Sequence, residues 1–247
     1  MRRNILITGA SSGLGAEMAR QFAAKGHNLA LTARRTDRLE ALQTELAERY
    51  PQLQVVIHSL DVNDHAQVFE VFRTIDAGLP LDRIIVNAGL GKGAPLGTGR
   101  FDANRETAMT NFVGALTQAE AAMELFRARN AGHLVFISSI SGLRGLPKTV
   151  TTYAATKAGI ASLAEGLRIE LLGKPITVST IYPGYIRSEM NERVAHTPLI
   201  VDTVPGVRAM VAAIESEKSK AYVPSWPWRP LAQVMRFAPL AILKRML

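Results

Sequence analysis

Ile5-Leu6-Ile7-Thr8-Gly9-Ala10-Ser11-Ser12-Gly13-Leu14-Gly15 is the stretch on which the fold turns. Three apolar residues read as a buried strand, a loop with glycines at 9, 13 and 15 follows, and an amphipathic run from Ala16 to Lys25 begins at once. Glycine lets the backbone come close to a ligand, and the first turn of a helix offers free N–H groups and the positive end of its dipole. A strand, glycine turn and helix in this order predict a cradle for a pyrophosphate. The spacing is Gly-x-x-x-Gly-x-Gly rather than Gly-x-Gly-x-x-Gly. The same residues admit a second reading. Gly9-Ala10-Ser11-Ser12-Gly13 satisfies Gly-x-Ser-x-Gly, the nucleophile elbow of serine hydrolases, and Asp61 and His133 follow in the order a triad needs. That reading leaves Gly15 without a role.

Outward from this stretch, strand-like runs alternate with helical ones. Residues 5–7, 28–32, 55–57, 84–86, 134–137 and 177–181 form short apolar runs that suit strands buried on both faces of a parallel sheet. Between them, residues 16–25, 37–49, 65–75, 103–129 and 152–172 read as helices, with Gly26, Gly132 and Gly173 as stops. The alternation predicts an α/β fold, a single doubly wound domain with a mostly parallel central sheet. We place that domain at residues 1–225, with a substrate lid at about 188–205 and a basic amphipathic tail over 226–247.

Composition narrows the chemistry. The 247 residues are 47% hydrophobic and 20% charged, which fits a folded chain with a substantial core. There are no cysteines, so thiol nucleophiles, disulfides and thiolate metal sites are excluded. No metal site is expected. The net charge of +8 is scattered rather than gathered into a stripe, so nucleic acid is not an expected partner. Met1-Arg2-Arg3 precedes too short an apolar run for a signal peptide, and no stretch reaches the ~20 apolar residues of a spanning helix. A cytoplasmic protein is expected.

In dinucleotide folds an acidic residue after the second strand binds the ribose hydroxyls. Here that position reads Thr32-Ala33-Arg34-Arg35. A guanidinium matches phosphate geometry, so NADP(H) is preferred over NAD(H), with Arg34 meeting the 2′-phosphate and Arg35 adding charge. Otherwise the two arginines only start an exposed helix.

Tyr153 and Lys157 lie four residues apart in Thr152-Tyr153-Ala154-Ala155-Thr156-Lys157. At that spacing the two side chains share a helix face, and an ammonium near a phenol favours the phenolate. The pair predicts a proton-transfer device.

With the glycine loop and this pair on one chain, residues 4 to about 190 resemble the short-chain dehydrogenase/reductase family. Thr8 to Gly15 resembles its cofactor loop, with Gly9, Ser11, Ser12, Gly13, Leu14 and Gly15 against the dinucleotide. Asp61-Val62 resembles its adenine-contacting pair, and Asn87-Ala88-Gly89 the motif closing its fourth strand. Asn111 is similar to the catalytic asparagine, Ser139 to the catalytic serine, and Tyr153 with Lys157 to the catalytic pair. Pro183, Gly184, Ile186 and Ser188 resemble the segment that cradles nicotinamide. Ser139 lies fourteen residues before Tyr153 where the family has thirteen, so an extra residue falls in 148–152 and leaves Ser139 and Ser141 as rivals. Each residue also has a structural reading. Asn111 can satisfy backbone at a kink, Asp61 can cap a helix, and Asn87 can hold a loop.

The resemblance implies an NADP(H)-dependent oxidoreductase that interconverts a carbonyl and a secondary alcohol. Tyr153 would move the proton, Lys157 would lower the tyrosine pKa and hold the ribose, Ser139 would bind the substrate oxygen, and Asn111 would hold a relay water. Relatives that bind dinucleotide without turnover supply the rival reading, a regulatory binding module. Leu90, Leu96, Leu143, Leu146, Val150, Met190, Val194, Leu199 and Ile200 suggest an apolar small-molecule substrate. Small residues on the helices of Asn111 and Tyr153 suggest a homodimer or homotetramer. The tail, with Trp226, Trp228, Arg236 and Lys244, suits either packing in the protein or peripheral contact with an anionic membrane.

Overall fold

The computed structural model describes residues 2–189 and 199–246. Among the described residues, seven parallel strands form one sheet in the order β3-β2-β1-β4-β5-β6-β7. They are β1 (Asn4–Thr8), β2 (Asn28–Ala33), β3 (Val55–Ser59), β4 (Arg83–Val86), β5 (Gly132–Ile137), β6 (Ile176–Pro183) and β7 (Lys220–Val223).

Side chains alternate across each strand, which divides the core in two. Ile5, Ile7, Leu29, Leu31, Ile85, Val135 and Ile137 face one layer with Met18, Phe22, Leu39, Met210 and Ile214. These come from α1 (Gly13–Ala24), α2 (Thr36–Arg49) and α7 (Thr203–Glu215). Leu6, Ala30, Ile84, Leu134 and Phe136 face the other layer with Phe72, Ala122, Phe126, Ile160 and Ala164. These come from α3 (His65–Gly78), α5 (Gly114–Arg129) and α6 (Thr151–Glu170). The β1–β4 neighbourhood is where the strand order reverses, and such a switch point opens a crevice at the carboxyl ends of the strands.

Three expectations change. The helix over 103–129 is α4 (Phe101–Ala108), a π turn at Met109–Val113, and then α5. The wider turn follows from Gly114, whose N–H reaches back to Met109 and whose Cα packs against the Val62 backbone. Gly132 does not stop α5. Asn130 takes the left-handed conformation there with φ 50°, and Gly132 opens β5, where a Cβ would meet the Phe126 ring. The stretch expected as a lid, 188–205, ends in regular structure. Val201 already pairs with Ile186, and α7 begins at Thr203. Met190 and Val194 lie outside the described residues.

The tail splits its aromatic residues. It forms α8 (Ser225–Phe237) and α9 (Leu240–Met246), separated at Ala238-Pro239. Trp228 and Met235 are buried with Ile140 and Tyr182, whereas Trp226 is 77% exposed. Val234, Phe237, Leu240 and Ile242 remain on the outer face. Arg144 donates to the carbonyls of Met235, Arg236 and Ala238, so it caps the end of α8. No helix among the described residues is long and apolar enough to cross a membrane.

Candidate active site

Tyr153 and Lys157 stand one turn apart near the start of α6, and the Lys157 Nζ lies 5.7 Å from the centre of the Tyr153 ring. The ammonium donates to the Ile137 carbonyl at 2.8 Å, at the end of β5. Ser138 Oγ in turn donates to the Lys157 carbonyl at 2.8 Å. A Cβ at Gly142 would sit 2.7 Å from the Lys157 carbonyl carbon. The loop after β5 therefore lies directly on the α6 backbone, which is why glycine follows the serines.

Burial governs the electrostatics. Lys157 is 5% exposed, and desolvation pushes its pKa down to about 8. Burial raises the Tyr153 phenol, the nearby Ser139 hydroxyl opposes that rise, and Tyr185 adds to it. Sequence spacing implies a phenol lowered by Lys157. Here burial raises the phenol and only Ser139 opposes it, while the ammonium is directed at the Ile137 carbonyl.

The two serines part company. Ser139 has extended backbone and presents its hydroxyl to Tyr153, while its Oγ accepts from the Ser141 N–H at 3.1 Å. Ser141 is buried in the turn behind it. The longer interval before Tyr153 is taken up by a tight 3₁₀ turn at Lys148–Val150, in which Lys148 has φ 62°.

Asn111 sits fully buried in the π turn. Its Oδ1 accepts from the Leu90 N–H at 2.7 Å and its Nδ2 donates to the Leu90 carbonyl at 2.9 Å. This clamps the loop beyond Gly89, where a Cβ would lie 3.6 Å from Lys157 Nζ.

The glycine loop closes on the same edge. Gly9 and Gly13 have φ of 65° and 53°, and a Cβ at Gly15 would sit 2.2 Å from the Gly9 carbonyl oxygen. Thr8 Oγ1 accepts from the N–H groups of Asn87 and Ala88, and Asn87 Nδ2 donates to the Thr8 carbonyl at 2.9 Å. The ends of β1 and β4 are thus tied together beneath the loop. Leu14 packs into the core under α1. Asp61 accepts from the Asn63 N–H, while the cap of α3 is Asp64, which accepts from the Gln67 N–H. Val62 is buried beside Gly114.

After β6, the Ile186 side chain packs against Gly206 of α7, and Ser188 Cβ comes within 3.5 Å of a Cβ placed on Gly13. A Cβ on Gly184 would collide with the Trp228 indole, so the tail touches this segment. Sequence reasoning missed that contact, because nothing local links residues 184 and 228.

Of the two basic residues after β2, Arg35 turns over the loop. It donates to Ser12 Oγ at 2.6 Å and Ser11 Oγ at 3.3 Å. Glu189 pairs with Arg35 and with Arg38. Arg38 was also missed, although it lies three residues beyond Arg35 and so on the same helical face. The serine-hydrolase arrangement does not form. His133 lies at the start of β5, at the amino ends of the strands and away from the glycine loop, bonded to Arg83 and Ser179.

The residues present fit a dinucleotide: a glycine turn with room only for backbone, free helix N–H groups behind it, and a basic residue at its rim. A family model described as short chain dehydrogenase matches residues 3–198. An uncharacterized oxidoreductase of Mycobacterium tuberculosis strain H37Rv is 53% identical, covering 99% of this chain and 97% of that protein. A short-chain dehydrogenase from Sphingobium yanoikuyae in complex with NADPH is similar at TM-score 0.84 and 25% identity, over 98% of this chain and 95% of that one. A bulky-bulky ketone specific alcohol dehydrogenase from Comamonas testosteroni gives TM-score 0.80 and 27% identity, over 97% and 96%. Motif order, sheet topology and sequence similarity converge, and this chain belongs to the short-chain dehydrogenase family of oxidoreductases.

Proposed function

We propose that this protein is an NADP(H)-dependent oxidoreductase that interconverts a carbonyl and a secondary alcohol on an apolar substrate. The observation that carries this reading is the meeting of Ser139, Tyr153 and Lys157 at the rim of the glycine loop.

When bound, the dinucleotide supplies or removes hydride at the substrate carbon. The protein manages the proton and the geometry. Tyr153 is protonated at neutral pH because burial disfavours its phenolate, so it is set to donate to a carbonyl oxygen. Ser139 Oγ lies beside that phenol and would donate a second hydrogen bond to the same oxygen. Lys157, charged below about pH 8, would hold the ribose hydroxyls and, in the alcohol-to-ketone direction, ease the loss of the phenolic proton. Asn111 fixes the Gly89-Leu90 loop next to that ammonium.

Gly9, Gly13 and Gly15, with Ser11, Ser12 and Leu14, would cradle the pyrophosphate. Asp61 and Val62 would flank the adenine, and Pro183, Gly184, Ile186 and Ser188 the nicotinamide. NADP(H) is preferred because Arg35 stands over the loop with no acidic residue at Ala33. Support comes also from the NADPH in the Sphingobium structure. Leu90, Leu143 and Val150 border the substrate side, which suits an apolar ketone. Exposed Ala155, Ala158 and Gly166 on α6 support a homo-oligomer.

The test is consumption of NADPH against a panel of apolar ketones and aldehydes. Tyr153→Phe should lower turnover by roughly 10²–10⁴ while sparing cofactor affinity. Normal binding of NADPH with no turnover on any carbonyl would favour the regulatory-module reading instead.

A further inference from the structure

Glu189 presents a carboxylate to the basic residues at the rim of the glycine loop. Its Oε2 lies 3.3 Å from Arg35, its Oε1 bonds Arg38, and Ser12 adds a further hydrogen bond to it. Those contacts hold its pKa below the usual carboxylate range. Two guanidinium groups meet one carboxylate, so the cluster keeps a net positive charge. Beside it, Ser188 lies against Gly13. The Ser188-Glu189 segment therefore lies against the loop at Gly13 and Ser12.

We propose that Glu189 is an internal competitor for the cofactor's adenosine phosphate. It latches its own segment across the glycine loop through Arg35, Arg38 and Ser12, and a 2′-phosphate takes its place. This rests on the NADP(H) reading above and adds to it a residue that sets affinity by opposing binding. A 2′-phosphate carries about −1.5 to −2 at neutral pH against −1 for the carboxylate, so it neutralises the arginine pair more fully. The ion pairs it displaces are half-exposed and individually weak, so the exchange is accessible at ordinary cofactor concentrations. A cofactor without the 2′-phosphate does not contest those arginines, so the carboxylate hardly affects it. Glu189 thereby lowers affinity for the phosphorylated dinucleotide and narrows the discrimination between the two.

The experiment uses the full chain and two probes, adenosine 2′,5′-bisphosphate and adenosine 5′-monophosphate, with binding read by calorimetry. Glu189→Gln keeps the shape and removes the charge at an exposed position. It should bind the bisphosphate about five- to tenfold more tightly than the unmodified protein, the size expected of two exposed ion pairs. The monophosphate should change by less than about twofold. Arg38→Ala should weaken the bisphosphate selectively. Unchanged or weaker bisphosphate binding in Glu189→Gln overturns the competition, and so does an equal gain for both probes, which would mean that Glu189 merely obstructs the loop. If the unmodified protein binds both probes equally, the NADP(H) reading falls and the competition with it. A selective unmodified protein with an indifferent Glu189→Gln sinks the competition alone.

Discussion

The backbone N–H of Ser141 donates to the hydroxyl of Ser139 at 3.1 Å. One serine thus orients the other, and only Ser139 is turned to Tyr153. Ser139→Ala should cost roughly 10²–10³ in turnover, the loss expected when a donor to a developing oxyanion is removed. Ser141→Ala keeps the N–H that does the orienting, so its turnover should stay within a few-fold of normal. Steady-state rates on one ketone check the ranking. The reverse order would give the catalytic role to Ser141.

Lys157 is a function-stability compromise. Its folded pKa lies near 8 against an ordinary 10.5, so at neutral pH the buried ammonium costs about 3 kcal/mol. Below pH 8 the full cost applies. Between pH 8 and 10.5 the folded state releases its proton while the unfolded state keeps its own, and stability rises. Lys157→Met removes the charge and also the hydrogen bond to Ile137, a loss of about 1 kcal/mol. Without cofactor the variant should therefore melt several degrees higher at pH 7, at roughly 2–4 °C per kcal/mol for a chain of this size, and turnover should collapse. The gain should fade above pH 8. Differential scanning fluorimetry across pH 6–10 reads both effects.

His133 sets an acid limit. Arg83 Nε donates to its Nδ1 at 2.8 Å, so Nε2 carries the proton and donates to Ser179 Oγ at 2.8 Å. Burial, reinforced by Arg83, pushes its pKa down to about 3. The unfolded chain takes up a proton near pH 6.5 and the folded one does not. Stability should therefore fall as pH drops from about 6.5 towards 3, by on the order of 3 kcal/mol at pH 4. Glu217, which burial would raise but the Arg2 guanidinium holds low, adds to the loss below about pH 4.5. Urea midpoints from pH 7 to pH 4 measure the slope, and His133→Gln should flatten it.

Arg35, rather than Arg34, should carry the dinucleotide preference. Arg35→Ala should weaken NADPH by roughly ten- to a hundredfold, as for one charge-assisted hydrogen bond, with NADH nearly unchanged. Arg34→Ala should matter far less, because its exposed side chain has not joined Ser11 and Ser12. Fluorescence titration of both cofactors into both variants decides the order.

Local signals carried the fold well and the site unevenly. The strands through β6 and the doubly wound class were readable because a buried parallel strand is a continuous apolar run, and six such runs punctuate the chain. β7 was not, since Lys220-Ala221-Tyr222-Val223 is short, partly exposed and half polar. The π turn around Asn111 was invisible because it arises from packing of Gly114 on Val62, 52 residues away in sequence, and not from helix propensity. Tyr153, Lys157 and the glycines were found through fixed local spacing. Sequence places Arg34 before Arg35 at the 2′-phosphate, but position in sequence does not reveal which of two adjacent side chains leans over the loop. The contacts of Glu189 with Arg35 and Arg38, and of Trp228 with Gly184, join distant parts of the chain and left no local signal.

The Trp228 indole against Gly184, with Arg144 holding the end of α8, ties the chain's last helices to the rim of the site at two points. One anchor is a backbone without a side chain, and the other is a set of carbonyls that any helix end can offer. Neither depends on the identity of the remaining tail residues. The tail is therefore exchangeable as long as the buried Trp228 and Met235 are kept. A grafted terminal helix that keeps those two residues and one free helix end should change the surface beside Gly184 while leaving Ser139, Tyr153 and Lys157 where they are.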